Sequence, residues 1–210
     1  MPHRARCAST FAYACAAVAA SVWLLRDAFV PRLVAALKSG GGDCVINWLG
    51  ARAWQKGLDI YSPAGLKWAG LASFGHPPTT PLWYLPFTPY DIFDLTQIYG
   101  HFLLLILFIH LVLVASELCA PLPLVTGLLA YALVMDTQWW VYHVTMLQLS
   151  EPIALLYVLG WLCLRRDHDI ACGILLGLAC SMKLYAGLLV LLLLVGRRWR
   201  GAIAVVAVYR

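Results

Sequence analysis

From Ile98 to Ala115 the chain runs without one Asp, Glu, Lys or Arg. Such a stretch is close to the roughly 20 apolar residues that a helix needs to cross a bilayer. In lipid a spanning segment must satisfy its own backbone N–H and C=O groups, and a continuous apolar run does so as a helix. The composition extends this constraint to the whole chain. Of the 210 residues, 62% are hydrophobic and only 12% charged, where a soluble domain has roughly 25% charged. Too few polar side chains exist to cover a soluble globule of this size. A disordered chain, a collagen-like fibre and an ordinary cytosolic enzyme are thereby excluded. The net charge of +5 reads as a positive-inside bias of a membrane protein and not as a nucleic-acid footprint. Membrane lipids are the expected surroundings, and no nucleic-acid partner is expected.

The order of apolar and polar stretches gives an organisation. Phe11 to Leu25 follows Arg4 and Arg6 and reads as a first helix with a cytoplasmic amino end. The same pattern describes a signal peptide, but further spans follow, which favours an uncleaved helix. Residues 26–96 are polar and rich in Gly, Pro and aromatics, and are expected to form a large extracytoplasmic loop. Within it, Cys44 to Lys56 reads as an amphipathic helix lying along the membrane, with Val45, Trp48 and Leu49 on its apolar face. Residues 97–210 are expected to supply membrane helices: Ile98–Ala115, Leu122–Met135 and Pro152–Leu164, with an aromatic interface at Trp139, Trp140, Tyr142 and His143. The fold class is therefore an all-α, polytopic membrane bundle carrying a juxtamembrane helix in its outer loop, in one membrane domain over 1–210.

Charge parity constrains what comes next. Arg165 and Arg166 precede the run from Ile170 to Gly196, and Arg197, Arg198 and Arg200 follow it. If both clusters are cytoplasmic, the run between them crosses an even number of times. It is too short for two full spans. A pair of short tilted helices or a re-entrant hairpin is expected, with Lys183 near the turn; a single long helix is the alternative. The final apolar run, Ala202–Tyr209, is too short to span, so the chain is expected to be the front part of a longer one, its activity then depending on the rest.

Few residues invite chemistry. The seven cysteines follow no metal or disulfide spacing and read as small hydrophobes. No metal ligand set, Walker loop or Ser-His-Asp order is visible, which argues against an ATP-driven pump or a soluble-type hydrolase. Asp43 follows Gly40-Gly41-Gly42 and opens the amphipathic helix. It suits an N-cap, and equally a fixed general base at the membrane surface. His76, in Gly75-His76-Pro77-Pro78, is either a surface residue or a polar contact for an anionic ligand. Lys183 either snorkels to the interface or faces a cavity and binds an anion such as a phosphate. Glu151, beside Pro152, poses the same question. His101 and His110 read as hydrogen-bonded structural histidines.

Three stretches carry a likeness: GGDCVINWLGARAWQKGLDIYSP around Asp43 and Tyr61, GHPPTTPLWYLPF around His76, and GILLGLACSMKLYAGLLVLLLLVGRRWRG around Lys183. In order and spacing the chain resembles the polyprenyl-phosphate-mannose-dependent mannosyltransferases of glycosyltransferase family 87, in the membrane-embedded glycosyltransferase C class. The resemblance implies a plasma-membrane hexosyltransferase that moves a sugar, expected to be mannose, from a polyprenyl-phosphate donor to a lipid or glycan acceptor. It implies that Asp43 is the catalytic base, that Lys183, His76 and Tyr61 bind substrate, and that neither metal nor cofactor takes part. The rival expectations are a polytopic transporter or lipid flippase with Lys183 and Glu151 along its path, and a non-catalytic fragment.

Overall fold

The computed structural model describes residues 2–26, 42–118, 122–135, 137, 142–143 and 146–209, and of residues 2–9, 185 and 186 the backbone alone. Among them every regular element is helical. In chain order these are α1 (Pro2–Leu24), α2 (Gly42–Gln55), α3 (Pro63–Ala69), a 3-10 helix (Thr80–Phe87), α4 (Ile92–Glu117) and α5 (Pro123–Met135). Then come α6 (Ser150–Arg165), α7 (Asp169–Met182), a second 3-10 helix (Leu184–Leu189), α8 (Val190–Val195) and α9 (Trp199–Tyr209). The expected belt residues Trp139 and Trp140, and Gly40-Gly41 before Asp43, lie outside the described residues.

Helix α4 is the backbone of the arrangement. Its 26 residues extend roughly 39 Å at 1.5 Å per residue, enough to cross a bilayer by length and composition. It starts earlier than the apolar run because Asp91 caps it, its carboxylate accepting the Asp94 N–H at 2.8 Å. The polar turn so added lies within the expected outer loop. The shorter apolar helices pack alongside, and large apolar side chains such as Leu105, Leu124, Leu192 and Ile203 remain exposed. An all-helical chain with this surface is consistent with a helical membrane protein.

Close packing depends on glycines at two crossings. A Cβ on Gly173 of α7 would lie 2.1 Å from the Gly201 carbonyl oxygen of α9. One on Gly127 of α5 would lie 2.5 Å from Val112 Cγ2 of α4. Small residues at such crossings let backbones approach where no hydrophobic gain drives helices together.

Ion pairs gather the ends of four helices at one pole. Glu117, at the end of α4, pairs with Arg165 and Arg166 at 2.9 and 2.7 Å. Arg198, before α9, pairs with Asp167 and Asp169, before and in α7, at 2.7 and 3.0 Å. The two Arg clusters thus share a pole, as charge parity required, and the run between them folds back on itself. Helix α1 runs from the same pole: Tyr13 hydrogen-bonds Thr126 near the start of α5 at 2.8 Å, and Leu25 packs in the cluster of Met135 at its far end.

Helix α2 matches the expected amphipathic segment in position and, through Trp48 and Leu49, in part of its face. Its buried residues are Cys44, Asn47, Trp48, Gly50, Ala51 and Ala53, while Val45 and Leu49 are half-buried. Cys44, expected in a polar stretch, is fully buried in the main core. The described cysteines that are resolved as thiols are free.

Candidate active site

The pole opposite the ion pairs is built around the break in the hairpin. Helix α7 ends at Met182, and Lys183 is extended, with φ −148° and ψ 130°. The last carbonyls of a helix lack intrahelical donors. Here the loop after the proline pair supplies them. Thr79 Oγ1 donates to the Ser181 carbonyl at 2.6 Å and Thr80 Oγ1 to the Met182 carbonyl at 2.8 Å. Trp83 Nε1 adds a bond to Ser181 Oγ at 3.2 Å. The His76 loop and the Lys183 break are therefore one unit.

Helix α2 is fastened to the same loop. Trp48 Nε1 donates to the Phe87 carbonyl at 3.2 Å and Gln55 Nε2 to Thr88 Oγ1 at 2.9 Å. Gly50 leaves room for Pro81 and Phe74, whose atoms would lie 3.0 and 3.1 Å from a Cβ there. These contacts orient the start of α2, where Asp43 stands in the first turn. Its place inside the helix differs from the expected N-cap, though a carboxylate there still meets the positive end of the helix. Tyr61 reaches the loop by another route. Its hydroxyl donates to the His76 carbonyl, and Phe74 stands edge-on to both the Tyr61 and the His76 rings.

The expected site residues meet at His76. Burial pushes its imidazole below its ordinary range; Asp43 acts on it in the opposite sense, and Lys183 lowers it further. Asp43 and Lys183, far apart in sequence, both lie within electrostatic reach of one ring. Tyr61 holds that ring's backbone and is itself 43% exposed, so it borders the cluster.

Two further groups belong to this pole. The His143 ring is also lowered, by burial first and then by Lys183, with Gln148 opposing. Lys183 is within reach of Glu151 as well. The segment holding them abuts α2, since a Cβ on Gly42 would lie 3.0 Å from Met146 Sδ. His143 had been assigned to the interface, because its neighbours Tyr142 and Trp140 suggest a belt and no local pattern points it at Lys183. Buried Tyr84 and Tyr99, hydrogen-bonded at 3.2 Å, were also missed. They fill the interior between the poles of this cluster, Tyr84 sensing Asp43 and Tyr99 sensing Glu151. His101 bonds the Gln97 carbonyl at 2.6 Å as expected, whereas His110 does not follow suit: its buried Nδ1 has no partner among the described residues. No His, Cys, Asp and Glu group among the described residues has the makings of a metal site.

The cluster combines two carboxylates, two imidazoles and an ammonium at the end of an apolar bundle. Such a set suits proton removal beside an anion. Comparison with known proteins bears on which reaction it serves. No curated protein and no solved structure matches the chain. The family model of glycosyltransferase family 87 matches residues 74–209, which hold His76, His143, Glu151 and Lys183 but not Asp43 or Tyr61. That match favours a transferase, with a sugar donor and an acceptor, over a transporter or flippase. Covering well over half of the chain, it shows that this protein belongs to glycosyltransferase family 87.

Proposed function

We propose that the protein transfers a sugar, mannose in the first instance, from a polyprenyl-phosphate donor to a hydroxyl of a lipid or glycan acceptor. The observation that carries this reading is that the His76 loop is hydrogen-bonded to the Lys183 break, with both Asp43 and Lys183 within electrostatic reach of the His76 ring. A base and a cation flanking one imidazole match the two needs of the reaction. The Asp43 carboxylate takes the proton of the acceptor hydroxyl as that oxygen attacks the anomeric carbon. The bond from the anomeric carbon to the phosphate oxygen breaks, and its electron pair leaves with the polyprenyl phosphate. Lys183 stabilises the charge growing on that phosphate, and neutral His76 adds an N–H donor. Attack and departure on opposite faces invert the anomeric centre. Tyr61 secures the His76 loop at the border of the substrate.

The setting suits a lipid-borne donor. The site lies at the end of apolar helices, and the donor's isoprenoid tail stays in the bilayer while its head reaches Lys183. We place the Arg-rich pole in the cytoplasm, because Arg165, Arg166 and Arg198 gather there with the side from which α1 starts. The protein is then a multi-pass plasma-membrane enzyme, with residues 26–96 outside and 97–210 supplying the membrane helices. Asp43→Asn in the full chain tests the base. Sugar transfer falls by roughly 10²–10⁴-fold, while donor binding stays near that of the parent. Unchanged turnover would remove Asp43 from the mechanism.

A further inference from the structure

Apart from the four residues assigned above, the cluster holds polar atoms with nothing to bond among the described residues. Glu151 is only 6% exposed, and its Oε2 has no hydrogen-bond partner among the described residues. His143 leaves a buried Nδ1 in the same condition. Both side chains lie within electrostatic reach of Lys183. Native proteins rarely leave buried polar atoms unpaired, and an orphan beside a cluster of charged groups calls for a partner such as a ligand or ordered water. Lys183 offsets part of the Glu151 charge but does not fill the vacant lone pairs of Oε2.

The chemistry of the orphans limits what completes them. Burial lifts the Glu151 carboxyl to about 7, with Lys183 opposing, so near neutral pH its vacant oxygen accepts a hydrogen bond in the ionised form and can donate one in the protonated form. Hydroxyl groups, which both donate and accept, pair with either form. A bare anion meets repulsion at this spot whenever Glu151 is ionised, and a metal ion is disfavoured by Lys183. Beside Glu151, however, Lys183 and His76 form a place suited to an anion. A ligand carrying hydroxyls at one end and a phosphate at the other answers both halves.

We propose that Glu151, supported by His143, is the glycosyl subsite of this enzyme: its carboxylate accepts hydrogen bonds from hydroxyls of the sugar being transferred. The assignment rests on the polyprenyl-phosphate reading above and adds the residue that chooses the sugar. A site built to bond a hydroxyl rejects analogues lacking it, because its own buried oxygen is then left unpaired. Glu151 is in this sense a specificity-determining residue, and Asp43 is the base.

The test compares two ligands that differ only in the sugar. Binding of polyprenyl-phosphate mannose, its monodeoxy analogues and bare polyprenyl phosphate is measured for the full chain in nanodiscs, as wild type, Glu151→Gln and His143→Asn. Thermal melts certify that each variant is folded. Glu151→Gln should weaken the mannosyl ligand by roughly 10–100-fold and leave bare polyprenyl phosphate within about twofold. One deoxy analogue should already bind weakly to wild type and lose little more in Glu151→Gln. His143→Asn should show the same selectivity with a smaller loss. Equal weakening of both ligands would make Glu151 a partner of Lys183 alone and overturn the subsite, as would no weakening of either. Wild type that binds both ligands equally well overturns the subsite but leaves the donor class standing. Wild type that binds neither overturns the donor reading itself.

Discussion

The two poles of the bundle treat charge in opposite ways. At the Arg-rich pole each acid has a guanidinium at hydrogen-bond distance: Glu117 with Arg165 and Arg166, Asp167 and Asp169 with Arg198. These pairs sit in solvent, where water screens them. At the other pole Glu151 is buried, and one of its carboxylate oxygens lacks a donor among the described residues. Structure alone favours the first arrangement, because a buried charge without full pairing is destabilising. A chain that maintains the second retains it for what it binds. The contrast separates charges that organise helices from charges that await a ligand.

The largest expected break in this contrast comes from Lys183→Met. Methionine keeps the length and apolar stem of lysine and removes the ammonium. Donor affinity should fall by about 1.5–3 kcal/mol, the range for a hydrogen bond to a charged group, or roughly 10–150-fold. Equilibrium binding of the polyprenyl-phosphate sugar checks it. An unaltered donor constant would leave Lys183 with an interfacial anchoring role, and the two poles would then differ only in depth.

Thr80→Val ranks next. Thr80 is fully buried and its hydroxyl donates to the Met182 carbonyl at 2.8 Å. Valine preserves the shape and leaves that carbonyl without this donor, at about 1–3 kcal/mol of stability. The effect should not be confined to melting. Because the bond ties the His76 loop to the residue before Lys183, the donor constant should weaken too, with the acceptor constant unchanged. A melting change with no change in donor affinity would show that the loop does not position Lys183.

How much of this was legible in the sequence depended on the range of the signal. Hydropathy located α5 and α6 to within a residue or two, and Arg parity foretold the fold-back at Lys183, because both patterns are contained in the residues themselves. The start of α4 was missed, since an Asp91 cap followed by Phe93, Asp94 and Gln97 does not look apolar. The buried face of α2 was misread in part, for a different reason. Val45 and Leu49 are more hydrophobic, but Gly50, Ala51 and Ala53 are small enough to let the 3-10 helix approach, and closeness decided the face. Asp43, His76 and Lys183 were visible one by one, as polar residues in unusual settings. That Glu151 and His143 share their surroundings was not visible, because the packing of α6 against α7 and of α2 against Met146 brings them in.

Acidification should sharpen the comparison from the site side. His76 in the folded chain holds its proton less tightly than in the unfolded chain, chiefly through burial. Above about pH 6.5 both states are neutral at this ring, and His76 contributes no pH dependence. As pH falls below that value the unfolded chain takes up its proton first, so stability declines until the pH passes below the folded-state value. Thermal melts between about pH 5 and 8 should therefore show a steeper acid decline for wild type than for His76→Asn. Equal slopes would mean that His76 is as hydrated in the folded chain as in the unfolded one.

The smallest effect is expected at the opposite pole, and its smallness is the point. Glu117→Gln removes one charge from two ion pairs whose arginine side chains are 49% and 60% exposed. Exposed pairs of this kind contribute about 0–1 kcal/mol, and glutamine retains a hydrogen-bonding oxygen for one of the two guanidinium groups. The melting temperature should barely move, and what change there is should shrink as salt is raised. Donor binding and turnover should match wild type, because Glu117 and the Lys183 break lie at opposite ends of the bundle. If Glu117→Gln instead weakened the donor as strongly as Lys183→Met, charge at either pole would govern the site through the helices between them, and the division of labour between organising and binding charges would fail.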